Sequence, residues 1–228
     1  MPDASREHEL PRWLWLYFPP LMILVEVGAR LAGDGVYRAL VRSELGVVEL
    51  GTVAALVLAL VVAVRLFLAR QALPARWVGI WMGLFALGAL YFAGEEASWG
   101  QHYFGWSTPE ALAAVNAQQE TNIHNIAGVF DQLPRNLLGL GVAVGGIVLP
   151  IVRRRRAGAW VPASGELQWL LPTVVCLPTA VLATAVTLPE KLFKVAGSEM
   201  PALLDISPGE TKEYYFGLFL LLYALSLA

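Results

Sequence analysis

Cysteine occurs once in 228 residues, histidine three times, and charged side chains make up only 15% of the chain. The lone Cys176 excludes an internal disulfide framework. Its place in an apolar run marks it as a small core or lipid-facing residue. So few histidines leave little room for a conventional histidine-rich metal centre. A net charge of −2 gives no basis for binding nucleic acid or another polyanion. Lysine is confined to Lys191, Lys194 and Lys212, so arginine carries most of the positive charge. That bias is associated with GC-rich bacterial genomes. There is no long internal repeat, and no soluble domain fits between the apolar runs.

What the chain has in place of charge is hydrocarbon. Its apolar fraction is 57% and its mean hydropathy +0.59, whereas a soluble domain is about 45–50% apolar. A membrane span needs about 20 mostly apolar residues. Six runs approach this, at 13–29, 46–64, 77–94, 137–152, 167–188 and 214–228, the fourth being short but extendable backwards. The expectation is an all-α, integral membrane bundle of six transmembrane helices forming one membrane domain over 1–228. The first run holds Pro19, Pro20 and Glu26 and is followed by Arg30 and Leu31. It therefore reads as a retained span, not a cleavable signal. Tryptophans 13, 15, 77, 81, 99, 106, 160 and 169 fall at or near span ends, as an aromatic belt requires. Gly79 with Gly83, and Gly141 with Gly145, are small-xxx-small pairs that permit close helix approach.

Charge sets the orientation. Arg153 to Arg156 follow the fourth run, Arg65, Arg70 and Arg76 follow the second, and Arg6 and Arg12 precede the first. The positive-inside rule puts all of these in the cytoplasm, together with both termini. The segment between spans three and four then lies outside, on the periplasmic face of a bacterial inner membrane. Lys191, Lys194 and Lys212 fall on the same outer side, against the rule. In this topology Glu26 lies about 20 Å up the first span at 1.5 Å per residue. Glu49, Glu95, Glu96, Glu210 and Glu213 fall at similar depth. They imply a polar cavity in the outer half of the bundle, with Glu44, Glu210 and Glu213 read as carboxylates reaching to water. Glu26 and Glu49 need partners inside the bundle, His124 or Arg30 being candidates.

The outer segment 94–125 reads G-E-E-A-S-W-G-Q-H-Y-F-G-W-S-T-P-E-A-L-A-A-V-N-A-Q-Q-E-T-N-I-H-N. Ionisable groups near a membrane mark function by default, and this stretch holds Glu95, Glu96, Gln101, His102, Asn116, Glu120, Asn122, His124 and Asn125. Ser107 or Thr108 followed by Pro109 and Glu110 is a helix start. The expectation is an interfacial or re-entrant polar helix from Ala111 toward Asn125. On it Asn116, Glu120 and His124 would share one face.

Several chemistries fit these residue types. Glu120 and His124 at i,i+4 spacing, with Glu95, suit a divalent transition metal as cofactor, Glu96 and His102 being further ligands in reach. Without a metal, Glu95 or Glu96 could serve as general base, with Asn122, Asn125 and Gln101 placing a substrate or an oxyanion. Glu120 and His124 would then be base or orienting pair. Ser98 with His102 at i+4 is a weaker nucleophile candidate, better read as a helix-terminal hydroxyl. The paired glutamates superficially resemble the E-E-x-x-x-R start of the CAAX-protease family of intramembrane glutamic proteases. However, Gly100 stands where that arginine belongs, and the family's histidine elements do not match His102 or His124. Transport is opposed by the absence of duplicated halves and of paired broken helices.

The stretch Glu95-Glu96-Ala97-Ser98-Trp99-Gly100-Gln101, followed by Asn116 through Asn125, resembles a family of uncharacterised bacterial multi-pass membrane proteins. Their pattern is E-E-x-S-W-G-Q followed by N-x-Q-x-E-x-N-x-H-N. The resemblance covers about thirty residues. It implies that the segment acts as one unit, and it carries no activity. His102 stands where the family pattern places an arginine, which argues against it as an essential ligand. Two functional classes follow. One is a membrane-embedded hydrolase or transferase acting on a lipid or lipid-linked substrate. The other is a binding or accessory subunit of a membrane protein complex.

Overall fold

The computed structural model describes residues 10–116, 118–123, 126, 128–158 and 165–228. Arg6, His124, Asn125 and Trp160, named above, lie outside the described residues. All regular structure among the described residues is helical.

A π-helical turn, Trp13–Tyr17, leads into α1 (Leu21–Ala32), and Gly33 at φ 116° turns the chain into α2 (Asp34–Leu40). Next come α3 (Val47–Leu68) and α4 (Arg76–Glu96), which pack as a hairpin. Gly79 and Gly83 make that packing close. A Cβ on either would sit within about 3 Å of Arg70 or Phe67 side-chain atoms. Short helices α5 (Gln101–Phe104) and α6 (Glu110–Ala113) follow. The long helical run through α7 (Gly128–Ala143), a π-helical turn Val144–Val148 and α8 (Leu149–Ala157) ends in the arginine cluster. The chain continues through α9 (Leu177–Ala185) and α10 (Leu188–Val195) to α11 (Pro208–Leu227).

Five segments are long and apolar enough to cross a membrane: Trp13–Ala32, Val47–Leu68, Arg76–Glu96, Gln132–Ala157 and Gly165–Val195. The first three reproduce the expected spans to within a few residues, and the fourth extends in both directions. The fifth differs in kind. The expected span is interrupted at 170–173, around Pro172, and at 186–187, just before Pro189, because proline lacks the N–H that an interior helical position must donate.

The sixth expected span is the central element of the bundle and yet falls short as a crossing helix by composition. Glu210, Lys212 and Glu213 occupy its first turn and a half. Beyond them the sequence is apolar on every side, the pattern of a helix surrounded by others. Tyr215, Phe216, Leu218 and Leu222 are accordingly among the most buried side chains in the protein. Helix α11 packs on α3, α7 and α9. Gly217 lets it approach Thr52 and Leu56 of α3, and Gly146 lets the fourth segment approach Phe219 and Ala180. Cys176 is fully buried in this core. Gly51 and Gly145 are tight as well, a Cβ meeting Tyr214 at 3.0 Å and Pro172 at 3.2 Å respectively, whereas nothing lies within 4 Å of a Cβ built on Gly141.

A side-chain latch fixes the segment before α11. Arg30 donates to both the carbonyl and the carboxylate of Asp205, at 2.6 and 2.9 Å. Arg42 reaches the same carboxylate at 3.0 Å, and the Tyr37 hydroxyl meets that of Ser207 at 3.0 Å. Arg30 therefore serves Asp205 and Asp34, not Glu26. Glu26 is buried between α1 and α11, where the Thr211 hydroxyl donates to its Oε1 at 2.6 Å.

Candidate functional site

The paired glutamates that end α4 face different surroundings. Adjacent residues on an α-helix point about 100° apart, given 3.6 residues per turn, so Glu95 and Glu96 cannot share one set of partners. Glu95 turns to the loop that follows. Its Oε1 accepts the Trp99 indole N–H at 2.9 Å and its Oε2 accepts the backbone N–H of Ile123 at 2.7 Å. Glu96 lies in the field of Glu213, Glu49 and Glu210, offset by Arg135.

The loop can reach back to Glu95 because α4 ends in a reversal. Ser98 and Trp99 both adopt left-handed backbone conformations, at φ 43° and 53°, and Gly100 follows at 99°. Non-glycine residues in this region store about 1–3 kcal/mol each and persist only where neighbours hold them. The neighbours are visible. Trp99 lies over Gly94, whose missing side chain makes room for the indole, since a Cβ there would come 2.9 Å from the ring. The Ser98 hydroxyl is buried and bonded to Glu120 Oε2 and to the Asn122 amide, at 3.1 and 3.0 Å.

The polar helix expected from Ala111 toward Asn125 does not form among the described residues. Helix α6 stops at Ala113. Asn116 then captures the backbone, its Oδ1 accepting the N–H groups of both Gln118 and Glu120 at 3.0 Å. This local side-chain bonding competes with the helical ladder and wins. Gln119 turns left-handed at φ 58°, so Asn116 and Glu120 do not share a helical face.

Loop contacts replace it. Asn122, 1% exposed, joins three groups. Its amide N–H groups go to Ser98 Oγ and, at 2.7 Å, to Glu120 Oε2, and its Oδ1 accepts from Asn116 at 2.8 Å. Gln101 ties the start of the segment to its end, its Oε1 accepting the Thr121 N–H at 2.7 Å and the Thr108 hydroxyl at 3.1 Å. The segment is one hydrogen-bonded unit in which Glu95, Gln101 and Asn122 position other residues.

Glu120 keeps its second oxygen for a different neighbour. Oε1 lies 3.3 Å from His102 Nε2, and Glu44 Oε2 lies 3.7 Å from the same nitrogen. Together Glu44, His102 and Glu120 offer ligand atoms all within 4.8 Å of one another. Two of the three, His102 and Glu120, are candidate ligands by sequence, although His102 also departs from the family pattern; Glu44 reads as a carboxylate reaching to water. Of the expected metal ligands, Glu120 is present in the trio, Glu95 is bonded elsewhere and His124 lies outside the described residues. Burial and the charge of Glu49 raise the nearby Tyr103 phenol above its ordinary value.

A cavity of about 300 Å³ lies between α4, α7 and α11. Phe85, Phe92, Leu138, Phe216 and Leu220 give it apolar walls, and Glu95, Glu96, Arg135 and Glu213 stand at its polar end. Arg135 and Glu213 are ion-paired there. Arg135 follows Pro134, which lies inside α7 and also lines the cavity. Of the carboxylates expected to converge, Glu49, Glu96, Glu210 and Glu213 lie in one another's field, whereas Glu26 is held by Thr211 and Glu95 by Trp99 and Ile123. Glu49 lies in the combined negative field of Glu44, Glu213, Glu210 and Glu120.

Comparison of the chain with protein-family models, with curated proteins and with solved structures found no match.

Proposed function

We propose that the chain is a membrane-embedded hydrolase or transferase acting on a lipid or lipid-linked substrate. One observation carries this reading: a cavity of about 300 Å³ with hydrocarbon walls and a single charged end. That is the polarity of an amphiphile, and the size lies at the lower edge of ordinary small-molecule sites. An acyl or prenyl chain would lie against Phe85, Phe92, Phe216 and Leu220. The head group would meet Glu96, Arg135 and Glu213. With both Glu95 oxygens bonded to Trp99 and Ile123, Glu96 is the carboxylate left for general-base work. Arg135 supplies the positive charge for a developing anion.

The setting proposed is a six-span bundle of a bacterial inner membrane, with α11 as the sixth span. Both termini are cytoplasmic and segment 94–125 is periplasmic. The arginines at 65, 70 and 76 and at 153–156 support that orientation. Reconstituted protein should convert one component of a mixed lipid extract, followed by mass spectrometry of the vesicle lipids. Glu96→Gln should stop the conversion while leaving the thermal unfolding profile intact. Unchanged lipids, together with no lipid carried through purification, would remove the reading.

A second reading, a binding or accessory subunit of a membrane complex, is favoured by the bonding of Glu95, Gln101 and Asn122. Both Glu95 oxygens, the Gln101 side-chain oxygen and both polar atoms of the Asn122 amide are bonded within the chain itself. A stoichiometric protein partner retained in mild detergent, with no lipid conversion, is the outcome it expects.

A further inference from the structure

We propose that Glu44, His102 and Glu120 form a binding site for one divalent transition-metal ion, with zinc the best match. The three residues come from separate segments: the loop between α2 and α3, helix α5, and the loop after α6. Nothing in their sequence spacing brings them together, so the fold itself assembles the trio. A tetrahedral ion with bonds of about 2.0–2.2 Å to nitrogen and oxygen holds its ligands about 3.3–3.6 Å apart. The His102 nitrogen stands 3.3 Å from one carboxylate oxygen and 3.7 Å from the other.

The direction of the contacts supports an ion more than a hydrogen bond. His102 Nε2 is a buried atom with no hydrogen-bond partner, despite its nearness to Glu120 Oε1. A short separation off the hydrogen-bond line is the relation expected of two atoms that ligate a third. The outer sphere is in place too. Glu120 Oε2 is fixed by the Ser98 hydroxyl and the Asn122 amide, which orients Oε1 toward His102. Glu44 has a half-exposed side chain, leaving the site open for entry of the ion and for a water as fourth ligand.

Charge points the same way. Two carboxylates and an imidazole give the trio a net negative charge, and Glu49 lies close enough to feel both Glu44 and Glu120. A mixed imidazole and carboxylate set matches zinc, iron or manganese ahead of calcium or magnesium, which take oxygen ligands alone. The inference is independent of the lipid reading, because an ion here would brace the loop in an enzyme or in a scaffold.

The test uses full-length protein in mild detergent, stripped with a chelator and titrated with zinc ion, with binding followed by calorimetry. One equivalent is expected. His102→Ala and Glu44→Gln should each weaken binding at least about tenfold. Glu44 is exposed and Glu44→Gln keeps its shape, so that variant decides the matter even if His102→Ala does not fold. Absence of saturable binding to the parent protein, or wild-type affinity in Glu44→Gln, would overturn the proposal. The readout is metal affinity alone, so loss of lipid turnover in Glu96→Gln leaves it unaffected.

Discussion

Replacing Asn122 by alanine should be among the most damaging single changes outside the apolar core. The side chain is buried and makes three bonds: to Ser98 at 3.0 Å, to the Glu120 carboxylate at 2.7 Å and from Asn116 at 2.8 Å. A neutral hydrogen bond contributes about 0.5–1.5 kcal/mol net and one to a charged group about 1.5–3 kcal/mol. Asn116 keeps its second acceptor, the Asn122 carbonyl at 2.9 Å, which recovers part of the loss. The expected destabilisation is about 3–5 kcal/mol, read from denaturant unfolding of the purified protein in mild detergent. Asn122→Asp separates the two sources of that effect. Aspartate keeps the shape but turns both donors into acceptors facing Glu120, so it should be no better than alanine. A loss below about 0.5 kcal/mol for alanine, the size of an ordinary surface change, would refute the view that this residue holds the loop. So would full rescue by aspartate.

Four further outcomes follow from the structure. Glu95→Gln leaves one of the Trp99 and Ile123 N–H donors without its acceptor, so chymotrypsin should cut faster in the exposed stretch around Tyr103 and Phe104. Gly146→Ala places a methyl 2.5 Å from Ala180 Cβ and 2.6 Å from the Phe219 ring, and should lower stability by about 1–3 kcal/mol. Gly141→Ala meets nothing within 4 Å and should be neutral or stabilising by up to about 1 kcal/mol in the same denaturant unfolding assay. Asp205→Ala unfastens Arg30 and Arg42 from the segment before α11. Because Asp205 is about one-third exposed, the loss should stay near 1 kcal/mol and shrink as salt is added.

How much of this could be read beforehand depends on the physics of each element. Uninterrupted apolar runs such as 46–64 and 77–94 became α3 and α4 nearly as expected, because hydrocarbon of that length has few other ways to satisfy its backbone. The breaks in the fifth run follow from Pro172 and Pro189, whose missing N–H groups override the hydropathy of the stretch. The helix expected beyond Ala111 failed for a reason carried by residue type. Asparagine offers the backbone a competing acceptor, and Asn116 uses both of its lone pairs that way. The split between Glu95 and Glu96 follows from helical geometry alone. No sequence signal ties Glu44 to His102 and Glu120, which lie 58 and 76 positions further along the chain, and only packing of the α2–α3 loop against the segment joins them.

The Glu95–Ile123 bond closes a loop spanning 28 positions. Closing a flexible chain of that length carries an entropic penalty of about 3 kcal/mol, from (3/2)RT ln n, which is as much as one hydrogen bond to a charged group returns. The neck bond alone would leave the loop open much of the time. Gln101 to Thr121 and Asn122 to Ser98 are further ties across the same loop, and they draw on a closure that has been made only once. The segment is therefore cooperative on its own scale: its ties form together and break together. A ligand that grips any one of them stabilises all, and a substitution that frees one loosens the whole mouth of the bundle.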